Sequence, residues 1–260
     1  MNYTLLQLVQ DVLSSIDGDE INSISDTVES QQVVTIVKTV LDDIVSRGDL
    51  TKLKTPFNLT ASGENTKPVI MYKPDLIDTI DWIKYNKVLD GDTDPVWSDI
   101  HYLKPEAFLM YVYQYNPSET NVDTLTYTDS GFSHTINYKN DTGPSYYTSF
   151  DDYIIIFDAY DNTVDSTLQQ SKTLCYGKKR LDWQEIDTFV PPIHNSQFSL
   201  LLNEAKSLAW AELRQSPNSK IEQSARRGWR HLQKSRRNIP SGVSAGRAHS
   251  FDKLPNFSRK

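Results

Sequence analysis

Apolar residues recur at helical spacing at both ends of the chain and switch to short, alternating runs in between. Leu5, Leu8, Val9, Val12, Leu13 and Ile16 fall on one face of a helix that starts after Thr4 and stops at Asp17-Gly18-Asp19. A second stripe, Val33, Ile36, Val37, Val40, Leu41 and Ile44, begins near Ser25–Thr27 and closes at Gly48. From Leu53 to Trp183 short segments alternate and are separated by Pro, Gly, Asn and Asp. Strands are predicted over 77–85, 122–128, 133–138, 153–158 and 167–176, as half-buried antiparallel strands or sheet edges. A short helix is predicted over 105–115, with Pro105 at its first position.

Helical spacing returns after Pro191-Pro192, in Phe198, Leu201, Leu202, Ala205, Leu208 and Ala209. Ser216-Pro217 interrupts it, and Ser219…Glu222 has the form of a capping box that starts a last helix, to about Arg237. That helix offers only Ile221, Ala225, Trp229 and Leu232 as apolar positions. The pattern predicts an α+β protein: a helical bundle from the N- and C-terminal helices with a β-rich antiparallel insert between them. The expected segments are 1–52 (N-terminal helices), 53–190 (insert), 191–237 (C-terminal helices) and 238–260 (basic extended tail).

Composition narrows the classes. Hydrophobic residues make up 38% of 260, yet 14 Tyr, 9 Phe and 5 Trp supply bulky burial, which fits a folded protein with a polar, tyrosine-rich contact surface. Cys175 is the single cysteine, so an intrachain disulfide framework is excluded, and a reducing compartment is the simplest setting. No apolar run reaches the roughly 18 residues of a membrane span, and no basic segment precedes an apolar one at the N-terminus. Cytoplasmic synthesis is expected, and the triplet Asn58-Leu-Thr60 is read as chance.

Candidate chemistry thins out on inspection. Asp90-Gly-Asp92-Thr-Asp94 suggests a calcium loop, but the sixth and twelfth positions are Pro95 and His101 instead of Gly and Glu. A polar turn is the better reading. Asp151-Asp152 and Asp158…Asp161 flank an apolar strand and are expected in solvent. The histidines (His101, His134, His194, His231, His249) show no metal-ligand pairing. Cys175, mid-strand in Thr-Leu-Cys-Tyr, is expected to be buried and structural. No nucleophile elbow, P-loop or dinucleotide fingerprint occurs, so neither an enzyme nor a cofactor is expected.

Charge is the strongest signal. Residues 221–260 hold ten Lys/Arg against Glu222 and Asp252, a net of +8; the whole chain is −7, which leaves −15 on residues 1–220. Arg226, Arg227, Trp229, Arg230, Lys234, Arg236 and Arg237 on the last helix are the candidate portion of a subunit-binding surface, since Arg and Trp concentrate at interface hot spots. A solvated terminal face and a phosphate-tracking surface are the competing readings.

The opening Thr4-Leu-Leu-Gln-Leu-Val-Gln-Asp-Val-Leu-Ser-Ser-Ile-Asp-Gly-Asp-Glu-Ile-Asn-Ser-Ile, followed by Thr27-Val-Glu-Ser-Gln-Gln-Val-Val, resembles the head-to-tail adaptors of short-tailed bacteriophages, the tail tubular protein A-like connectors. The resemblance covers about 45 residues and carries no catalytic motif. It implies a helical bundle with a β-rich region, and a twelve-copy ring under the portal. Such a ring joins the portal to the tail nozzle and fibres and lets DNA pass without specific binding. It also implies a virion location and no membrane partner. By the same resemblance, the last helix and tail dock on the portal, with Arg247, Phe251, Leu254 and Phe257 as tail contacts. A DNA-binding packaging accessory whose basic tail grips DNA is the alternative, and a carbohydrate-binding or hydrolytic tail component is a third reading, from the tyrosine-rich middle.

Overall fold

The computed structural model describes residues 3–48, 50–64, 66–88, 94–129, 131–163 and 172–237. The chain divides into two compact units, one of Leu53–Arg180 and one combining Met1–Lys52 with the segment from Leu181 onward.

In the helical unit, α1 (Leu5–Ser15) starts at a reciprocal cap: Gln7 N donates to Thr4 Oγ1 at 3.3 Å and Thr4 N to Gln7 Oε1 at 3.0 Å. α2 (Val28–Arg47) has the same device between Thr27 and Ser30. Leu5, Leu8, Val9 and Val12 of α1 are buried with Val33, Val37, Leu41 and Ile44 of α2. Each such side chain contributes about 2 kcal/mol of transfer free energy, so packing rather than propensity holds these helices. α4 (Phe198–Leu213) packs on both of them, and α5 (Ser219–Arg237) packs on α4. The restart of helix after Pro217 uses Asn218, whose Oδ1 accepts from Lys220 N at 3.2 Å and Ile221 N at 3.4 Å. The cap therefore sits one residue earlier than the box predicted from Ser219 and is one-sided, because the third helical residue is then Ile221.

The second unit is built on an eight-stranded curled sheet in the order β1-β10-β4-β5-β8-β9-β3-β2. The strands are β1 (Lys54–Phe57), β2 (Thr60–Ala61), β3 (Ile70–Tyr72), β4 (Ile77–Asn86), β5 (Trp97–Tyr102), β8 (Tyr146–Ser149), β9 (Ile154–Phe157) and β10 (Thr173–Lys179). A separate hairpin pairs β6 (Val122–Asp129) with β7 (Phe132–Lys139). Neighbours in the large sheet are antiparallel except β5 and β8, which pair in parallel through His101↔Tyr146 and Tyr102↔Tyr147. The two outermost strands, β1 and β2, are consecutive in the chain and separated only by Asn58 and Leu59. Ile83, Ile100, Tyr147, Ile156 and Cys175 of the sheet share one core with Phe108 and Val112 of α3 (Pro105–Val112) and Leu125 and Ile136 of the hairpin.

The expected helical bundle carrying an antiparallel β insert is corrected. The molecule is a mixed α+β protein in which the curled eight-stranded sheet dominates, with five α-helices among the described residues. β4, whose alternation suits an edge, lies inside the sheet between β10 and β5. Several strands escape a reading by periodicity because they are two to four residues long, too short to show a repeat of two. Gly177 marks a register shift between β10 and β4, and a Cβ there would collide with Thr79 O.

Candidate functional site

α5 is amphipathic in an unusual way: its packed side is small and its open side is cationic. Ala225 and Leu232 are buried, and Gly228 lets the helix approach α4 so closely that a Cβ would stand 2.9 Å from Leu200 Cδ1. Trp229 is half-buried, with the Arg47 guanidinium 5.0 Å from its ring centroid. That cation–π contact ties the end of α2 to α5.

Arg226, Arg227 and Arg230 are exposed on the remaining surface of α5. Arg226 approaches Glu222 at 3.7 Å, a long pair with both side chains open to solvent, which contributes little. Arg227 and Arg230 have no ion pair with any described residue. The backbone of α5 also carries Lys234, Arg236 and Arg237, whose side chains are not among those described. Arg247, Phe251, Leu254 and Phe257 lie outside the described residues. Of the candidate binding residues, three arginines therefore share one open face, while Trp229 turns toward α2. Residue pattern alone missed Gly228 and Arg47; the small-residue spacing Ala225-x-x-Gly228 was the available signal for a close helix contact.

The same unit has an acidic counterpart. Residues 17–29 contain Asp17, Asp19, Glu20, Asp26 and Glu29 and no Lys or Arg. Asp17, Asp19, Glu20 and Asp26 are exposed. Arg214, just past α4, donates from Nε to Ile16 O at 2.8 Å and from a terminal nitrogen to Asp17 O at 3.3 Å, and pairs with Glu29 at 3.2 Å. It satisfies carbonyls at the end of α1 and fixes the acidic loop beside the C-terminus of α4.

In the sheet unit the titratable groups serve packing. Asp158, expected in solvent, is 2% exposed: its Oδ1 accepts from Ser145 N at 2.9 Å and Tyr146 N at 2.8 Å. Burial raises its carboxyl above the ordinary range, opposed by those two bonds and by the Lys139 charge. Tyr111 packs edge-on against Tyr115 at 5.5 Å and Tyr146 at 5.0 Å, and Lys139 stands 5.1 Å from the Tyr115 ring. Burial pushes the Tyr111 and Tyr115 phenols upward, so both stay protonated. Cys175 is fully buried and its thiol is pushed up to about 12 by desolvation.

The Asp90–Asp94 turn falls largely outside the described residues, and no group of three or more His, Cys, Asp or Glu among the described residues could hold a metal ion. Among the described residues no helix is long and apolar enough to cross a membrane. A scan against protein-family models finds no match to this chain, and a search of curated proteins finds none either.

Proposed function

We propose that the chain is a structural virion subunit, a head-to-tail adaptor of a short-tailed bacteriophage. It assembles as a ring between portal and tail nozzle or fibres, attaches through its cationic C-terminal helix and the residues beyond it, and leaves a bore for DNA. One observation carries the reading. α5 is anchored by Ala225, Gly228 and Leu232 while Arg226, Arg227 and Arg230 stand exposed, with the long Arg226–Glu222 contact as their one ion pair among the described residues.

A merely solvated helix face mixes both signs of charge, because like charges three and four residues apart repel. Here residues 226–237 hold six Lys/Arg and no acid. That repulsion is relieved when the face meets carboxylates of another subunit, which Arg binds with bidentate geometry. The −15 balance of residues 1–220 supports the same role, since an acidic wall weakens the nonspecific phosphate binding that would stall passing DNA.

Removing residues 238–260 tests the reading. The shortened protein is expected to keep its circular dichroism spectrum and lose co-sedimentation with the portal of the same phage. Co-sedimentation at the full-length level rejects it. The DNA-binding alternative predicts a different result: the intact protein shifts duplex DNA in gels, and the shift falls steeply with salt.

A further inference from the structure

Two oppositely charged surfaces of the helical unit, the open face of α5 and the loop of residues 17–29, lie toward opposite ends of α4. α4 and α5 are joined by residues 214–218 and fold back on each other, so that Gly228 meets Leu200 near the start of α4. At the other end, Arg214 binds Ile16 O, Asp17 O and Glu29, which places the acidic loop of residues 17–29 there. Leu200 and Arg214 are fourteen residues apart, or about 20 Å of helix. The Debye length at physiological salt is about 8 Å, so Arg226, Arg227 and Arg230, which flank Gly228, are largely screened from the loop carboxylates of the same copy.

We infer that the cationic face of α5 docks on the acidic loop of a second copy of this chain. Arg226, Arg227 and Arg230 of one molecule meet Asp19, Glu20 and their neighbours in the next. The contact is heterologous: one surface donates and a different surface receives, so every bound copy presents a fresh receiving loop. Such a contact generates a closed ring when its rotation closes and a filament when it does not. A second copy offers this complement: the five acids of residues 17–29 stand without a Lys or Arg in the segment, and four of them are exposed. The inference rests on the adaptor reading and narrows it at one point: the exposed face of α5 serves the contact between ring copies, and portal attachment falls to the residues beyond 237.

A charge swap on the full chain tests it. One variant carries Arg226→Glu, Arg227→Glu and Arg230→Glu, and the other Asp19→Lys and Glu20→Lys; all five positions are exposed. In mass photometry and sedimentation velocity the unmodified protein is expected to associate, about tenfold or more weakly when salt is raised. Each variant alone is expected to be monomeric, because the facing charges then repel in the arginine variant and largely cancel in the loop variant. An equimolar mixture is expected to associate again, since each α5 now finds an opposite loop. Recovery in the mixture also shows that both variants fold.

Self-association of the arginine variant at the unmodified level overturns the inference, as does a mixture of two folded variants that stays monomeric. Loss of portal co-sedimentation in the arginine variant with self-association unchanged gives the face to the portal; the inference then fails while the adaptor reading stands. A salt-sensitive DNA shift lost in that variant, again with unchanged self-association, gives the face to a polyanion and also overturns it. Unmodified protein that stays monomeric yet binds the portal overturns self-docking and leaves attachment intact.

Discussion

Gly228 of α5 lies against Leu200 of α4 with room for a hydrogen and not for a methyl: a Cβ would sit 2.9 Å from Leu200 Cδ1 and 3.2 Å from its Cβ. With buried Ala225 and Leu232, this contact holds α5 against α4 and so sets which side chains the helix turns outward. Gly228→Ala gains about 1 kcal/mol of helix propensity and loses a similar amount in moving a buried leucine, so its melting temperature should change little. Gly228→Val adds a branched side chain that the neighbour cannot accommodate and should cost about 2 kcal/mol. Trypsin cleavage at Arg226, Arg227 and Arg230 should then accelerate, and an unchanged digestion rate would show that α5 is held some other way.

Asp158 supplies a pH test. Its carboxyl is raised in the folded state, first by burial, so ionising it costs more in the fold than in the unfolded chain. Its favourable share is fully present below the ordinary carboxyl range and is lost as pH rises through the folded value. Asp158→Asn keeps an Oδ1 acceptor for Ser145 N and Tyr146 N and removes the charge. The stability of Asp158→Asn relative to the unmodified protein should therefore increase as pH rises from the acid side, measured by urea melts at several pH values. Asp158→Ala strands both N–H groups and should cost about 3 kcal/mol on the acid side, and less as pH rises through the folded value of Asp158.

The thiol of Cys175 should be inert. It is buried in β10 between β1 and β4, and desolvation pushes it up to about 12, so almost no thiolate exists at neutral pH. Ellman's reagent should report no fast-reacting thiol in native protein and one after denaturation. Rapid native labelling would contradict the burial.

Arg214 should be the most costly surface-accessible residue of the helical unit. It satisfies two carbonyls at the end of α1 and meets Glu29 of α2. Arg214→Ala should lower stability by about 1–2 kcal/mol, chiefly through the orphaned Ile16 carbonyl. Glu29→Gln should cost about 0.5 kcal/mol or less, since that pair is partly solvated. Thermal melts separate the two, and equal losses would mean that the ion pair dominates.

The helices were legible because their signals are local. Thr4, Thr27 and Gly48 punctuate stripes long enough to show a period, and the structure ends α1 and α2 within a residue or two of them. The sheet was legible only in its longer strands. β2 and β3 hold two and three residues, and their place is set by partners far away in sequence, Met71 against Ile155 for example. Asp158 shows a different limit: an acid beside a turn looks solvated until backbone donors from residues 145 and 146 are brought around it. The cationic segment announced itself in composition, but which arginines share an open face depended on Gly228 and on Arg47 covering Trp229.

The two outermost strands of the large sheet are tied together by Asn58 and Leu59, and they are only four and two residues long. Among the described residues, a strand added at either end of this sheet meets at most the four residues of β1 or the two of β2, a flank too short for extensive main-chain pairing. Recognition at those two ends then falls to side chains, where charge and shape discriminate among partners, more than to the generic main-chain pairing that any extended peptide can supply.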